Sequence, residues 1–247
     1  GFAGDSSAGA WQFMGNVFLG GKISTTNWDG GVAAPSQWLQ VMPTDDTQVS
    51  TPDHASLDIT GDHTIVINAA VPSPVSLAHT WVKKAAVNAA ATTSNYSFGI
   101  LGTPRLVYTS TVAGGLKQST AAPTVDNTSR WYAVTCDVDN GAGGYDLKFW
   151  QSVTGAAGTW TQLGTTVTTA GAITPVANAD VLLNDDFEAN EKIYEVQVWT
   201  GLRDLDAQTG GTLVANPKFD DPAEWPDQGP NADSLGRTWT LVGGTYI

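Results

Sequence analysis

Three observations on this 247-residue chain predict an all-β fold, a two-sheet antiparallel sandwich. Its 27 glycines and 12 prolines interrupt it too often for long helices, and no long run rich in Ala, Glu, Lys and Leu exists. Short segments rich in Val, Ile, Thr, Tyr and Trp recur between these turn signals, as the strands of a sandwich or barrel do. Several of them alternate apolar and polar residues with a period of two, so each has one face for a core and one for solvent. With 41% hydrophobic and 14% charged residues the chain has the apolar content to bury that core. The absence of a fixed-period repeat argues against propellers and solenoids.

Residues 1–48 stand apart. Trp11, Phe13, Met14, Val17, Phe18, Leu19 and Ile23 are interleaved with glycines and follow no period of 2 or 3.6, which predicts an extended arm. An apolar arm without its own core must lie on the following domain or on another subunit, so Trp11, Phe13, Phe18 and Leu19 are candidate docking residues. The polar stretch 44–52 is the candidate join, leaving 49–247 as the sandwich. Strands are expected at 57–60, 64–71, 80–84, 96–101, 105–110, 131–139, 145–153, 159–168, 181–183, 193–200 and 238–242. Between two of them, Asp139-Asn-Gly-Ala-Gly-Gly144 supplies glycines for positive φ, the mark of a hairpin.

Alternation in these strands places four tryptophans on the polar side. Tyr132, Val134, Cys136 and Val138 share an apolar face, which leaves Trp131 with Thr135, Asp137 and Asp139. Trp150 lies with Asp146, Lys148 and Ser152, Trp199 with Glu195 and Gln197, and Trp160 with Gln162. Flat indoles beside Asp, Gln and Lys suit stacking on sugar rings or on another protein. The competing reading is that the arm or the loops cover them as ordinary core.

Charge narrows the partners. Eleven basic against 24 acidic residues give −13, which disfavours nucleic acid and anionic lipid; −9 of this lies beyond residue 174. Stacking on an indole needs no ligand charge, which suits so acidic a chain. The apolar runs are too short to cross a bilayer, and the start Gly-Phe-Ala-Gly-Asp lacks the basic and apolar regions of a signal peptide.

Catalytic chemistry finds little support. Glycoside hydrolysis needs two carboxylates flanking the bond, yet the acidic groups 185–191 and Asp137 with Asp139 fall at expected turns. The three histidines, His54, His63 and His79, are not near a Gly-x-Ser-x-Gly turn, and the single Cys136 sits in a strand pattern as a buried hydrophobe. No cofactor is implied. Asp185, Asp186 and Glu188 offer hard oxygens for calcium, though such loops are more often only solvated.

Three stretches together carry a family resemblance. They are Thr51-Pro-Asp-His-Ala-Ser-Leu-Asp-Ile-Thr-Gly-Asp62, then Arg130-Trp-Tyr-Ala-Val-Thr-Cys-Asp-Val-Asp-Asn-Gly-Ala-Gly-Gly144 with Thr159-Trp-Thr-Gln-Leu-Gly164, and Gly236-Arg-Thr-Trp-Thr-Leu-Val-Gly-Gly-Thr-Tyr-Ile247. Residues 50–247 resemble the concanavalin A-like, LamG-type jelly-roll domains of minor tail and other virion proteins from phages of actinobacteria. The resemblance implies a jelly roll whose first and last strands are neighbours, on a non-catalytic protein of the virion surface. It further implies other virion proteins and host cell-surface glycans as partners, within a homo-oligomer or larger assembly. A tail-associated adhesin and a capsid decoration or fibre protein fit it equally, and it assigns no ligand residue.

Overall fold

The computed structural model describes residues 38–39, 48–75, 78–85, 94–111, 116–176, 178–185, 191–219 and 230–242. Its strands are β1 (Gln48–Thr51), β2 (His63–Ala70), β3 (His79–Lys84), β4 (Tyr96–Ile100), β5 (Leu106–Ser110), β6 (Lys117–Gln118), β7 (Ser129–Asp137) and β8 (Gly144–Ser152). They continue with β9 (Thr161–Gln162), β10 (Val167–Ala170), β11 (Val181–Asp185), β12 (Lys192–Thr200), β13 (Thr212–Ala215), β14 (Asn231–Ala232) and β15 (Thr238–Val242).

The strands form two antiparallel sheets. One has eight strands in the order β14-β15-β1-β11-β3-β4-β5-β6; the other runs β10-β8-β7-β2-β12-β13, with β9 also paired to β8. Val49 of β1 faces Leu241 of β15 and Leu183 of β11, so the first and last strands are neighbours, as the jelly-roll expectation required. The β7–β8 hairpin turns through Gly141 and Gly143 at φ +73° and +76°, which L side chains avoid.

Alternation decides which residues fill the space between the sheets. Ile65 and Ile67 of β2, Tyr132, Val134 and Cys136 of β7, Leu147 and Phe149 of β8, and Val196 and Val198 of β12 point inward. From the opposite sheet comes Trp81, fully buried, stacked on Tyr132 at 5.2 Å and edge-on to Phe98 at 5.4 Å. Its indole N–H donates to Glu191 Oε1 at 2.6 Å, which gives this buried carboxylate a hydrogen-bond donor, and His79 Nδ1 lies 3.2 Å from Glu191 Oε2.

Two further buried polar side chains, Lys84 and His63, are paired. The fully buried Lys84 ammonium donates to Asp53 and to the Ala179 carbonyl, and lies 3.1 Å from Asp58 Oδ1. It holds the Asp53 carboxyl below the ordinary carboxylate pKa. Between the sheets, His63 Nδ1 is 2.9 Å from the Gly61 carbonyl and Nε2 2.8 Å from the Tyr108 hydroxyl. A carbonyl only accepts, so Nδ1 carries the proton and Nε2 accepts from Tyr108. Burial pushes the His63 pKa down and the Cys136 thiol pKa up, which keeps both neutral.

Some expected elements differ. At 57–60 there is no strand; a 3-10 turn occupies Ala55–Leu57, because the His54 ring accepts from the Ser56 N–H and winds the chain locally. The expected 159–168 strand is two short ones separated by Gly164 at φ +82°. β1 begins inside the stretch read as a join, and β6, β13 and β14 are too short to show alternation. Leu39, within the stretch read as an arm, is fully buried and pairs with Ile193 through two backbone hydrogen bonds. Beside it Trp38 meets Tyr194 edge-on, with Lys192 Nζ 4.0 Å from its ring centroid.

Candidate functional site

The outer face of the β10-β8-β7-β2-β12-β13 sheet carries an aromatic cluster separate from the core. Register assembles it. Trp150 of β8 faces Ala133 of β7, Ala133 faces Val66 of β2, and Val66 faces Gln197 of β12. One row along, Trp131 lies between Asn68 and Ser152; on the other side of that central row, Trp199 faces Thr64. Small side chains at Ala133 and Val66 leave a shallow floor over which bulky indoles can lean together. Trp160 joins them from the turn before β9, and Leu205 packs in from the loop after β12. The structure thus brings together all four tryptophans expected on polar strand faces.

Two loops then cover part of this face. In the first, Gly155 sits on the Trp131 ring: an added Cβ would lie 2.7 Å from it, and the residue has φ +71°. The Trp160 indole N–H donates to the Gly155 carbonyl at 3.2 Å, leaving Trp160 only 8% exposed. In the second, residues 201–211, Leu205 is buried and Gln208 donates to its carbonyl. Trp131, Trp150 and Trp199 remain half-buried. The Trp150 N–H donates to Thr135 Oγ1 at 3.2 Å, and that of Trp199 to Gln197 Oε1 at 3.1 Å.

What stays open are two adjoining clefts. The larger, about 410 Å³, lies between Trp150, Thr135 and Lys148 on the sheet and Arg203, Leu205 and Asp206 on the loop. The smaller, about 190 Å³, is lined by Val66, Trp131, Trp160, Gln197, Arg203 and Gln208. Arg203 and Leu205 border both. Arg203 Cζ lies 4.0 Å from the centre of the Trp199 ring, and partial burial lowers the guanidinium pKa. The larger cleft therefore combines an indole, apolar leucines and groups of both charge signs, which suits a polyhydroxylated ring with apolar faces. A third cleft of about 540 Å³, lined by Asp58, Thr60, Asp62, Thr200 and Val214 among others, has no aromatic wall.

The other expected sites stand differently. Trp11, Phe13, Phe18 and Leu19 lie outside the described residues, as do Asp186 and Glu188, while Asp185 closes β11. Among the described residues no group of three or more His, Cys, Asp or Glu could hold a metal ion. The loop contributing Arg203, Leu205 and Gln208 was not expected from the sequence. Its available signal was Gly201 before it and Gly210-Gly211 after it, all three at positive φ, flanking the one basic residue between Lys192 and Lys218.

Comparison with known proteins places the fold. No family model and no curated protein matches the chain. A candidate carbohydrate-binding protein of Bacteroides ovatus superposes with a TM-score of 0.54 at 15% identity, over 81% of this chain. The match spans 57% of that protein's length. This likeness establishes the sandwich architecture. The CBM40 of the Ruminococcus gnavus IT-sialidase, solved with α2,3-sialyllactose, gives a TM-score of 0.43 at 10% identity, over 69% of this chain and 95% of its own. The native heptameric SAP-like pentraxin of Limulus polyphemus gives 0.39 at 10% identity, over 83% and 95%. These two superpose too loosely to bear on function.

Proposed function

We propose that this chain is a non-catalytic, lectin-like glycan-binding domain of a phage virion, carried by a tail-associated protein and directed at the host cell surface. The observation that carries the glycan reading is the open cleft beside Trp150, where an indole face, Lys148 and Thr135 meet a second wall of loop residues 203–206. A sugar's apolar C–H face stacks on the indole while its hydroxyls bond to the ammonium, hydroxyl and carboxylate groups around it. The Bacteroides ovatus protein offers a precedent in name on the same architecture. Residues 1–48, with Trp11, Phe13, Phe18 and Leu19, would supply docking to neighbouring virion proteins; the virion assignment rests on the family resemblance of residues 50–247.

The test takes the purified full chain to an array of bacterial surface glycans and to host cell walls. Wild type should bind, and Trp150→Ala should lose binding while keeping its melting temperature. No binding by wild type overturns the glycan reading. Antibody labelling of the parent particle should decorate the tail; decoration confined to the head selects the capsid alternative.

A further inference from the structure

We infer that the glycan bound on this face carries a carboxylate, seated by Arg203 with help from Lys148. The inference rests on the glycan reading above and concerns the chemistry of that same site. Its observation is a cation without a counter-charge. The guanidinium is stacked on Trp199 and uses two of its five N–H donors, one to Gln208 Oε1 at 3.1 Å and a long one to the Gly210 carbonyl at 3.4 Å. Both acceptors are neutral. By contrast Arg130 pairs with Asp126, and Lys84 pairs with Asp53 and Asp58. Among the described residues Arg203, partly desolvated, has no ion pair in a chain with 24 acidic residues; Arg105 and Arg237 also bond only neutral oxygens, but neither of them borders these clefts.

Position makes the unpaired charge informative. Arg203 borders both clefts and Lys148 lines the larger, so two cations converge where the sugar would stack. The acidic groups of the same loop already accept hydrogen bonds from backbone N–H groups, Asp204 within the loop and Asp206 from the neighbouring turn. Asp204 Oδ1 accepts from the Asp206 and Ala207 N–H groups, and Asp206 Oδ1 accepts from the Trp160 N–H. Lys148, Arg203, Asp204 and Asp206 together sum to zero, on a molecule whose overall charge is −13. The cleft is thus a local relief in an acidic surface. A planar fork held flat on an indole matches a carboxylate with two parallel hydrogen bonds, which a hydroxyl cannot supply.

The experiment titrates the full chain with trigalacturonate and with a hyaluronan tetrasaccharide, each against its carboxyl methyl ester, which keeps the skeleton and removes the charge. The acid of at least one pair should bind about tenfold more tightly than its ester, an advantage that falls as salt rises. Arg203→Gln should bring the two forms to near-equal affinity while leaving ester binding in place, and Lys148→Gln should narrow the gap in part. Arg203→Lys, which retains charge but not the fork, guards against misfolding of the loop and should keep part of the preference. Equal binding of acid and ester by wild type overturns the carboxylate seat and leaves the glycan reading standing. A preference untouched by Arg203→Gln and Lys148→Gln overturns the assignment to these residues. Failure to bind any of the four compounds overturns the inference; the array above then decides separately whether glycan binding survives.

Discussion

Two tryptophan environments in this molecule obey different physics. Trp81, between the sheets, is fully buried, stacked on Tyr132, edge-on to Phe98 and hydrogen-bonded to a buried glutamate. Trp150, on the outer sheet face, is half-buried, bonded to a threonine hydroxyl and open to a cleft. The first has every neighbour it needs. The second has a floor, one wall and room for something else. The difference shows that an aromatic residue's sequence environment fixes which side of a sheet it takes, but the loops decide how much of it remains available.

The contrast can be broken at its strongest point first. Trp81→Ala should cost about 3–5 kcal/mol in denaturant unfolding, from lost packing, a cavity and the abandoned Glu191 partner. A cost near that of a surface substitution would mean the inter-sheet aromatic stack is not what holds the sheets. Lys84→Met should cost less, about 2 kcal/mol, because Asp53 and Asp58 keep side-chain exposures of 29% and 28% and can rehydrate once the ammonium is gone. The same variant should remove part of the acid sensitivity. The Asp53 pKa is depressed below 3.8 by Lys84, so its contribution is present above that pH and is lost as pH falls through the lowered value.

His63 supplies a second acid effect at milder pH. Its folded pKa is lowered from 6.5 by burial, so the unfolded chain takes up the proton first. Stability should be level above about pH 6.5 and decline below it. Replacing His63 with Gln should flatten that slope at some cost in overall stability; an unchanged slope would place the titrating group elsewhere. At the small end, Trp150→Ala should shift unfolding by only about 1 kcal/mol, since the ring lies at the edge of the outer-face cluster and part of it borders the open cleft.

Much of this was legible in the sequence, and the reasons differ by region. Period-two alternation located β7, β8 and β12 within a residue or two, because each is long and has one face in the core, whereas β2, buried along its whole length, was legible only as a strand-rich run between turn signals. The same arithmetic placed Trp131, Trp150 and Trp199 on the outer face. It did not reveal that Gly155 would sit on Trp131 or that Leu205 would fill the space beside Trp160, since both are contacts between residues far apart in the chain. β13 and β14 escaped for want of length, and β1 for its polar flanks. Arg203 was invisible as a site residue because its importance comes from a missing counter-charge, which only the packed loop makes apparent.

The central claim is that the outer face is kept open for a ligand while the inner face is closed for stability. Isothermal titration of wild type and Trp150→Ala with a glycan found on the array, run beside their thermal unfolding, tests it most directly. Binding lost by at least tenfold with a nearly unchanged melting temperature is the expected result. Unchanged affinity, or a melting temperature that falls as far as that of Trp81→Ala, would contradict it.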